Sequence, residues 1–403
     1  MNIAFVTEKE ICAEQGGTEH VTHTLSASFA KDGNKCYSLF AFPKDENMIA
    51  SAFHGKKQID TNNEIDIQID CFLKTYSIDF VIINLVTAKY RACIQPTLYN
   101  VAKRQHVKVI TCYHMMPGYE TKFSSWSHIF YRLTHRYEVK QALTDAVAHL
   151  VPMWIKERLI RKKYRACINN TDKLVLLSER YYEPFLRISG VRNNEQYRQK
   201  LTCIENSLSF NEFATSTDIE SKAKTALIVA RLDEKSKNLS TALKIWNAIE
   251  KNDNLNDWSL DIAGDGPDMN FYKHLTKKLN LKRCHLLGRC PNPQELYKKA
   301  AVFIMTSVTE GFPLTLTESQ QFGCVPVVFN SFGAAENLVK DGINGYLIKS
   351  KDHRKFIEAL LSLMSDESKR NCMANAAIEN SRTLVQNCIM KKWRTLMESM
   401  GTN

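Results

Sequence analysis

Two glutamates, Glu310 and Glu318, bracket a short segment that combines a turn with the start of a predicted helix. An apolar run over residues 301–305 leads into this segment, as a buried strand would. The first turn of a helix leaves backbone N–H groups without intrahelical acceptors, and the helix dipole adds positive potential there. The amides of Gly311, Phe312 and Leu314 can therefore bind a diphosphate, while the two carboxylates accept hydrogen bonds from sugar hydroxyls. This combination favours a sugar nucleotide as the ligand.

Two cations in a second segment can bind the same diphosphate. Arg231 follows a predicted strand at residues 226–230, and Lys237 leads into the next predicted helix. Arginine supplies a forked donor and lysine a compact point charge, so the two side chains can converge on one diphosphate. Charged loop residues are also common as solvated surface, and the sequence leaves both interpretations open.

Further candidates follow other predicted strands. Gly16 and Gly17 come between the first strand and a helix, where adjacent glycines either let the backbone approach a ligand or simply form a turn. Gly264 opens a loop that resembles a dinucleotide fingerprint, but Asn270 replaces the third glycine, which disfavours hydride transfer. His114 also ends a strand, either as a hydrogen-bond donor to a sugar or as a structural hydrogen-bond partner.

Short apolar runs that alternate with longer amphipathic segments must position these residues, and this pattern predicts parallel α/β layers. The first series of predicted strands lies at residues 3–6, 36–40, 80–84, 107–112, 173–177 and 201–204. The second series lies at residues 226–230, 260–263, 285–287, 302–305, 325–329 and 346–348, with helices at 239–251 and 268–279 among them. We therefore expect two doubly wound, Rossmann-like domains that join near residues 210–224 and face a central cleft, where ligands meet the carboxyl ends of the strands.

Composition limits the possible functions. A chain of 403 residues with 44% apolar content exceeds one ordinary core. The net charge of +11 indicates anionic partners such as nucleotide diphosphates or a phospholipid surface, and no recognised motif supports nucleic acid. The first residues are typical of a strand rather than a signal peptide. The sequence has no apolar run of about 18 residues or more, so we expect no membrane span. Scattered single cysteines predict reduced thiols in a cytosolic protein, with no metal site.

One basic, aromatic segment at residues 122–165 allows two interpretations. Its second part, residues 154–165, carries apolar side chains at helical spacing among basic ones. The aromatic residues upstream of that part are Phe123, Trp126, Phe130 and Tyr131. Such a helix either lies on an anionic membrane or packs on the protein's own core with a solvated basic face.

Together these motifs resemble the family-4 retaining glycosyltransferases of the GT-B fold, of the bacterial envelope and capsular polysaccharide type. The resemblance covers nearly the whole chain and is sharpest over residues 225–348. The motifs that occur in the family's order are Arg231 with Lys237, residues 264–267, residues 287–289, the glutamate pair of residues 310–318 and residues 342–347. Gly16 and Gly17 match the family's N-terminal glycine loop, whereas Ser207 replaces a glycine of the interdomain segment.

The resemblance implies a role for each of these residues. Glu318 should bind the donor ribose, and residues 289–290 should lie along the nucleobase. The implied catalytic residues are Glu310 at the donor sugar, Arg231 and Lys237 at the diphosphate, and His114 beside the sugar. The implied donor-binding residues are Glu318, Gly16, Gly17, Gly264, Arg289, Cys290, Gly311, Phe312, Pro313, Leu314 and Thr315.

The resemblance implies a retaining transferase that moves a sugar from a UDP- or GDP-sugar to a glycan or lipid-linked glycan of the cell surface, without a cofactor. Because two cations and helix amides can replace a metal ion and no D-x-D motif occurs, we expect metal independence. Residues 1–212 should bind the acceptor, joined by a C-terminal helix at 386–403, and residues 213–385 the donor. The expected location is the cytoplasm, or the inner face of the cytoplasmic membrane if residues 122–165 bind lipid. A sugar-nucleotide epimerase and a non-catalytic nucleotide-sugar-binding subunit remain alternatives.

Overall fold

The computed structural model describes residues 1–12, 16–44, 48–61, 63–84, 88–121, 126–134, 139–192 and 194–401, without the side chains of residues 88–93 and 127. The chain folds into two compact units. The first unit comprises Met1–Gly118, Trp154–Ser207 and Gln386–Asn403, and the second comprises Tyr119–Met153 and Leu208–Val385.

Each unit is built on one parallel sheet. The described strands of the first sheet are β1 (Asn2–Lys9), β2 (Lys35–Phe42), β3 (Gly55–Gln58), β4 (Phe80–Asn84), β5 (Lys108–Tyr113), β6 (Lys173–Leu176) and β7 (Leu201–Cys203), in the order β3-β2-β1-β4-β5-β6-β7. Those of the second are β8 (Ala223–Val229), β9 (Ser259–Ala263), β10 (Cys284–Gly288), β11 (Ala300–Met305), β12 (Val325–Asn330) and β13 (Tyr346–Lys349), in the order β10-β9-β8-β11-β12-β13. Both orders reverse at a switch point, between β1 and β4 and between β8 and β11, as in doubly wound folds.

Helices connect the strands. Those before β6 are α1 (Gly17–Lys31), α2 (Ile65–Thr75), α3 (Ala88–Arg104), α4 (Trp126–Thr134), α5 (Val139–Leu150) and α6 (Met153–Asn169). Those from β6 to β11 are α7 (Tyr182–Ser189), α8 (Glu195–Arg198), α9 (Ser216–Glu220), α10 (Glu234–Lys237), α11 (Leu239–Ile249), α12 (Met269–Lys278) and α13 (Gln294–Lys299). The remainder are α14 (Leu314–Gln321), α15 (Ala335–Leu338), α16 (His353–Ser365), α17 (Glu367–Ser381) and α18 (Gln386–Met400).

The predicted fold class, two Rossmann-like parallel α/β domains, is confirmed. The predicted strands are present because central parallel strands are covered on both faces and therefore read as continuous apolar runs. All residues of β4 and β11 are buried, for example. The sequence reasoning missed β3 because its residues are polar and largely exposed beside β2, at the edge of the sheet.

Two segments belong to a different unit from the residues that flank them in the sequence. The predicted first domain included residues 119–153, whereas in the structure α4 and α5 pack on the second unit, where Arg132 pairs with Asp268. The helix α18 packs on α1 of the first unit: the Trp393 ring meets the Phe29 ring edge-on at 6.1 Å. Phe123, part of the predicted basic, aromatic segment, lies outside the described residues.

Candidate active site

The strand β11 leads into the segment with the two glutamates. Pro313 is the N-cap residue of α14, with extended backbone and no side-chain capping bond. The amide of Leu316 donates back to the Pro313 carbonyl at 3.2 Å. The amides of Leu314 and Thr315 precede that bond and have no acceptor within the helix. They therefore form a helix terminus of the kind that binds anions.

An ion pair joins Glu310, the carboxylate predicted to bind the donor sugar, to residues 231–237, which are predicted to bind the diphosphate and are called the diphosphate loop below. Lys237 Nζ donates to Glu310 Oε1 at 2.7 Å, and these side chains are only 22% and 10% exposed. Backbone contacts hold the two segments in place, because Val308 N donates to the Ser236 carbonyl at 2.8 Å and Thr306 Oγ1 to the Lys237 carbonyl at 3.2 Å. The fold thus brings together two predicted catalytic residues that lie 73 positions apart.

Gly264 sets the position of the loop that carries Arg231. Its φ is +139°, and a Cβ there would lie 1.8 Å from the Ala230 carbonyl oxygen. No other residue fits at such a distance and backbone angle. Leu232 N continues the contact by donating to the Asp265 carbonyl at 2.9 Å. Close backbone packing therefore accounts for Gly264, and the exposed Arg231 side chain extends from the loop that this glycine supports.

Glu318 is buried on α14, and both of its carboxylate oxygens accept hydrogen bonds. Ser209 Oγ donates to Oε1 at 2.5 Å and Tyr297 OH donates to Oε2 at 2.8 Å. Burial raises the pKa of Glu318 above that of an ordinary glutamate, and the two hydrogen bonds offset part of this rise. Sequence reasoning missed Ser209 and Tyr297, since neither belongs to a recognised motif and neither lies near Glu318 along the chain.

Arg289 and Cys290 follow β10 on the next loop of the same sheet. The Arg289 side chain is exposed, and Cys290 Sγ donates to the Asn292 carbonyl at 3.4 Å. Because β8, β9, β10 and β11 are parallel, the loops that follow them all lie at the carboxyl edge of the second sheet. The predicted donor-binding residues of the second unit therefore share one edge, where ligands of doubly wound folds bind.

In the first unit, His114 ends a chain of hydrogen bonds. His114 Nε2 lies 3.2 Å from Asn84 Oδ1, and Asn84 Nδ2 donates to Thr22 Oγ1 at 2.8 Å. Thr22 Oγ1 in turn donates to the Thr18 carbonyl at 2.7 Å. Because the Asn84 amide nitrogen is engaged by Thr22, its oxygen faces His114, and the network assigns the histidine hydrogen to Nε2. The bonds connect His114 to the first turn of α1.

Gly16 and Gly17 open that helix. Gly16 is the N-cap residue of α1, with extended backbone, and both glycines are exposed. A Cβ on Gly16 would lie 2.8 Å from Glu19 Oε2, so a side chain there would displace this carboxylate. The glycines and His114 thus lie at the carboxyl edge of the first sheet, after β1 and β5 respectively.

A buried charge cluster lies beside the first turn of α10, and sequence reasoning missed it. Asp268 is fully buried, and its Oδ1 accepts from His128 Nε2 and Arg132 Nη2, each at 2.9 Å. Its Oδ2 accepts from the Glu234 backbone N–H at 2.8 Å. Burial acts to raise the pKa of Asp268, but the hydrogen bonds from His128, Glu234 and Arg132 outweigh it and hold the pKa below the ordinary value. One carboxylate thus ties α4 to the diphosphate loop.

Comparison with known families identifies the second unit. The family described as "Glycosyl transferases group 1" matches residues 209–380. The chain carries a glycosyl transferases group 1 domain. The resemblance expected from the motifs is therefore confirmed, and the matched range contains Arg231, Lys237, Glu310 and Glu318.

Curated relatives of this chain include bacterial glycosyltransferases. The poly(glycerol-phosphate) alpha-glucosyltransferase of Bacillus subtilis is 27% identical over 66% of this chain and 39% of its own length. The UDP-Gal:alpha-D-GlcNAc-diphosphoundecaprenol alpha-1,3-galactosyltransferase of Escherichia coli is 28% identical over 51% of this chain and 53% of its own length. The chain thus spans less than two thirds of the length of these two relatives.

A solved structure matches the whole fold. Anabaena Alr3699/HepE in complex with UDP has a TM-score of 0.71 at 14% identity and covers 99% of this chain and 100% of its own. This likeness shows that the chain has the GT-B fold.

Proposed function

We propose that this protein is a retaining glycosyltransferase that transfers a sugar from a UDP-sugar to a lipid-linked glycan in cell-surface polysaccharide synthesis. The observation that carries the proposal is the Lys237–Glu310 ion pair, 2.7 Å long, with Glu310 four residues before the N-terminus of α14. The name of the E. coli relative specifies a UDP-sugar donor and a diphosphoundecaprenol-linked acceptor, and the Anabaena structure contains UDP. These names support UDP over GDP, and a peripheral position at the cytoplasmic membrane belongs to the same proposal.

The proposed mechanism follows the charges that develop during transfer. When the anomeric C–O bond breaks, negative charge forms on the diphosphate and positive charge on the sugar ring. Lys237 and Arg231 donate to the diphosphate together with the α14 amides, and Glu310 holds the Lys237 ammonium in place. The acceptor oxygen bonds to the anomeric carbon on the face that the diphosphate leaves, and its proton passes to the departing phosphate oxygen. No metal ion is needed in this scheme, because the two cations and the amides stabilise the leaving group.

A nucleotide panel tests the proposal. We expect UDP-sugars to raise the melting temperature of the protein in EDTA, and GDP-, ADP- and CMP-sugars to leave it unchanged. At a ligand concentration of about 100 Kd, binding adds roughly 2.7 kcal/mol of stability, which a thermal-shift assay resolves. Arg231→Ala should lose the shift, while Lys273→Ala, which removes an exposed lysine on α12, should keep it.

Two outcomes of the sugar-nucleotide panel would contradict the proposal. A flat response to every sugar nucleotide, or a response that appears only after a divalent metal is added, would overturn the donor site or its metal independence. Turnover is then measured as UDP release with a polyprenyl-diphosphate-linked acceptor, and NMR of the product reports whether the anomeric configuration is retained. Inversion would contradict the proposed front-face attack. His114→Ala in this assay tests the role predicted for His114.

UDP-sugar binding should weaken as the pH falls, with a midpoint above that of an ordinary glutamate. Burial raises the pKa of Glu318, so this carboxyl takes up its proton at a higher pH than the usual value of about 4.3. The ionised form accepts hydrogen bonds from ribose hydroxyls, and protonation removes that capacity. Calorimetry between about pH 4 and pH 8 measures the effect. The ligand is a UDP-sugar rather than UDP, because the terminal phosphate of free UDP itself titrates near pH 6.

Two variants assign that pH dependence to Glu318. Glu318→Gln should abolish it and weaken binding about 10- to 100-fold, the range expected for lost hydrogen bonds to a charged group. Tyr297→Phe removes a bond that stabilises the ionised form, so it should move the midpoint to higher pH. An unchanged midpoint in Glu318→Gln would show that another group titrates.

A further inference from the structure

The helical hairpin formed by α4 and α5 is inside out. On α4, the buried face carries His128 and Arg132, and Arg132 is only 4% exposed. The opposite face of the same helix exposes Trp126, Phe130 and Leu133, with Phe130 at 67%. A helix on a globular protein normally turns its apolar face to the core and its polar face to water. The helix α4 buries Ile129 but also buries His128 and Arg132, and it leaves three large apolar side chains exposed.

The helix α5 repeats this reversal. It buries Asp145, which pairs with Arg132 at 3.4 Å, together with Ala142. Its opposite face carries the exposed apolar side chains Val139, Leu143, Val147 and Leu150. These four positions recur every three or four residues and so form one stripe. The ring of His149, near the end of α5, lies 4.6 Å from that of Trp126, at the start of α4, so the helices are antiparallel.

Buried charge determines which face of the hairpin points outward. Arg132 donates to Asp268, a residue of the second unit that is fully buried. Turning the hairpin over would cover its apolar stripe but leave Asp268 without this cation, and an uncompensated buried charge is strongly destabilising. The exposed stripe is therefore a stable feature of the second unit and not a misoriented surface.

The side chains on this face are those of an interfacial membrane helix. Trp and Phe prefer the boundary between headgroups and acyl chains, and Leu and Val extend into the acyl region. In the described part of the hairpin, residues 126–134 and 139–150, the acidic residue is Asp145, which is buried and paired. No described helix is both long and apolar enough to cross a bilayer.

Charge argues for an anionic surface. The chain continues from α5 through the exposed Met153 and Trp154 directly into α6. The exposed basic side chains of α6 are Arg158, Arg161, Lys162, Lys163 and Arg165. The net charge of the whole chain is +11. An aromatic and basic segment of this kind is attracted to anionic headgroups.

We propose that the outer face of the α4–α5 hairpin inserts into the headgroup region of an anionic phospholipid bilayer. This inference deepens the proposed function, on which it rests for one point only: the surface bound is the one that holds a lipid-linked acceptor. Insertion covers Trp126, Phe130, Leu143, Val147 and Leu150. The basic residues of α6 add electrostatic attraction. Because Asp268 also holds the Glu234 amide, the membrane-bound hairpin is anchored to the diphosphate loop.

Vesicle flotation tests the inserted face. The full chain is mixed with phosphatidylcholine vesicles that contain phosphatidylglycerol, and the wild type should float with them. Phe130→Glu combined with Val147→Glu should lower the vesicle partition coefficient by about tenfold or more, because both exposed side chains lose apolar area and gain negative charge. Ile67→Glu is the matched control, since Ile67 is an exposed apolar residue on α2, 56% exposed, and should leave flotation unchanged.

The electrostatic part is tested separately. Arg158→Ala and Lys162→Ala should each lower partition about fivefold at low salt, with the difference fading as salt rises. Vesicles of phosphatidylcholine alone should bind the wild type less tightly than those with phosphatidylglycerol. Equal partition into both would overturn the anionic specificity.

UDP-sugar binding separates this inference from the donor site. The Phe130→Glu, Val147→Glu variant should bind UDP-sugar as the wild type does but turn over a vesicle-embedded acceptor more slowly. Wild type that binds UDP-sugar yet fails to float at any lipid composition would overturn the membrane proposal and leave the transferase standing. A third outcome would assign the face to a second copy of the chain. In that case the wild type would sediment as a dimer and would not float, and the Phe130→Glu, Val147→Glu variant would be monomeric.

Discussion

Replacing Lys237 by alanine is expected to lower kcat by about 10²–10³, the loss typical of one donor to a developing negative charge. The Lys237 ammonium lies 2.7 Å from Glu310 and is mostly covered, so it is held in place before the reaction. Because its contact with the diphosphate strengthens as the leaving group gains charge, kcat and kcat/KM should fall together. The fold should be preserved, since Lys237 is the last residue of the short helix α10 and lies outside the hydrophobic core of the second unit.

Steady-state UDP release measures this effect. Lys235→Ala is the matched control, because it removes a cation from the same helix, α10. The Lys235 side chain is 41% exposed, and its Nζ lies 3.8 Å from Asp145 Oδ1. The control substitution should change kcat by less than about threefold, in line with the small energies of exposed pairs. Lys237→Arg should recover part of the rate. A Lys237→Ala variant that loses affinity with unchanged kcat would show that this lysine binds the ground state only.

A double-variant cycle with Glu310→Gln tests the pair itself. If the carboxylate holds the ammonium for catalysis, the second substitution should cost much less in the Lys237→Ala background than in the wild type. Independent, additive losses would instead assign Glu310 to the sugar alone.

Asp268→Ala should produce the largest loss of stability, about 3–5 kcal/mol in the free energy of unfolding of the second unit. The substitution leaves the buried Arg132 with the longer pair to Asp145, at 3.4 Å, and removes the acceptor of both the Glu234 amide and His128. Because the pKa of Asp268 is held below that of an unfolded aspartate, this stabilisation is complete above about pH 4 and is lost as the pH falls through the folded value. The variant should therefore show a shallower acid transition than the wild type.

Urea unfolding followed by tryptophan fluorescence measures the loss, because Trp246 and Trp258 lie in the core of the second unit. Asp261→Asn is the control: Asp261 pairs with His285 at 2.8 Å on the surface, and its loss should cost at most about 1 kcal/mol. Adding Arg132→Met and Asp145→Asn to Asp268→Ala should restore part of the stability, since the charges of Arg132, Asp145 and Asp268 are then all removed. If Asp268→Ala were no worse than Asp261→Asn, the cluster would contribute little.

The sequence by itself determined the two-sheet architecture and predicted which loops of the second unit carry the candidate site residues. Strands buried on both faces must be continuous apolar runs, so β4 and β11 were recognisable from composition alone. Parallel strands bring their carboxyl ends to one edge, so strand order placed Lys237 and Glu310 on the same edge, where the structure pairs them. These inferences succeed because each depends on a local pattern and one rule of topology.

Only the tertiary structure decided what holds these residues in place. The partners of Glu318 are Ser209 and Tyr297, and the first of these lies 109 positions away. The bond from Arg132 to Asp268 spans 136 positions. Hydrogen bonds of this kind leave no periodic signal in the chain, because each depends on how separate elements pack.

The hairpin shows the same limit most clearly. The periodicity of α4 and α5 reveals that each helix has an apolar and a polar face, and the usual rule turns the apolar face inward. Here the buried Asp268 attracts Arg132 and His128 inward, and the apolar face is left outside. Which face of an amphipathic helix is buried depends on the surface that receives it, and the sequence of the helix does not contain that surface.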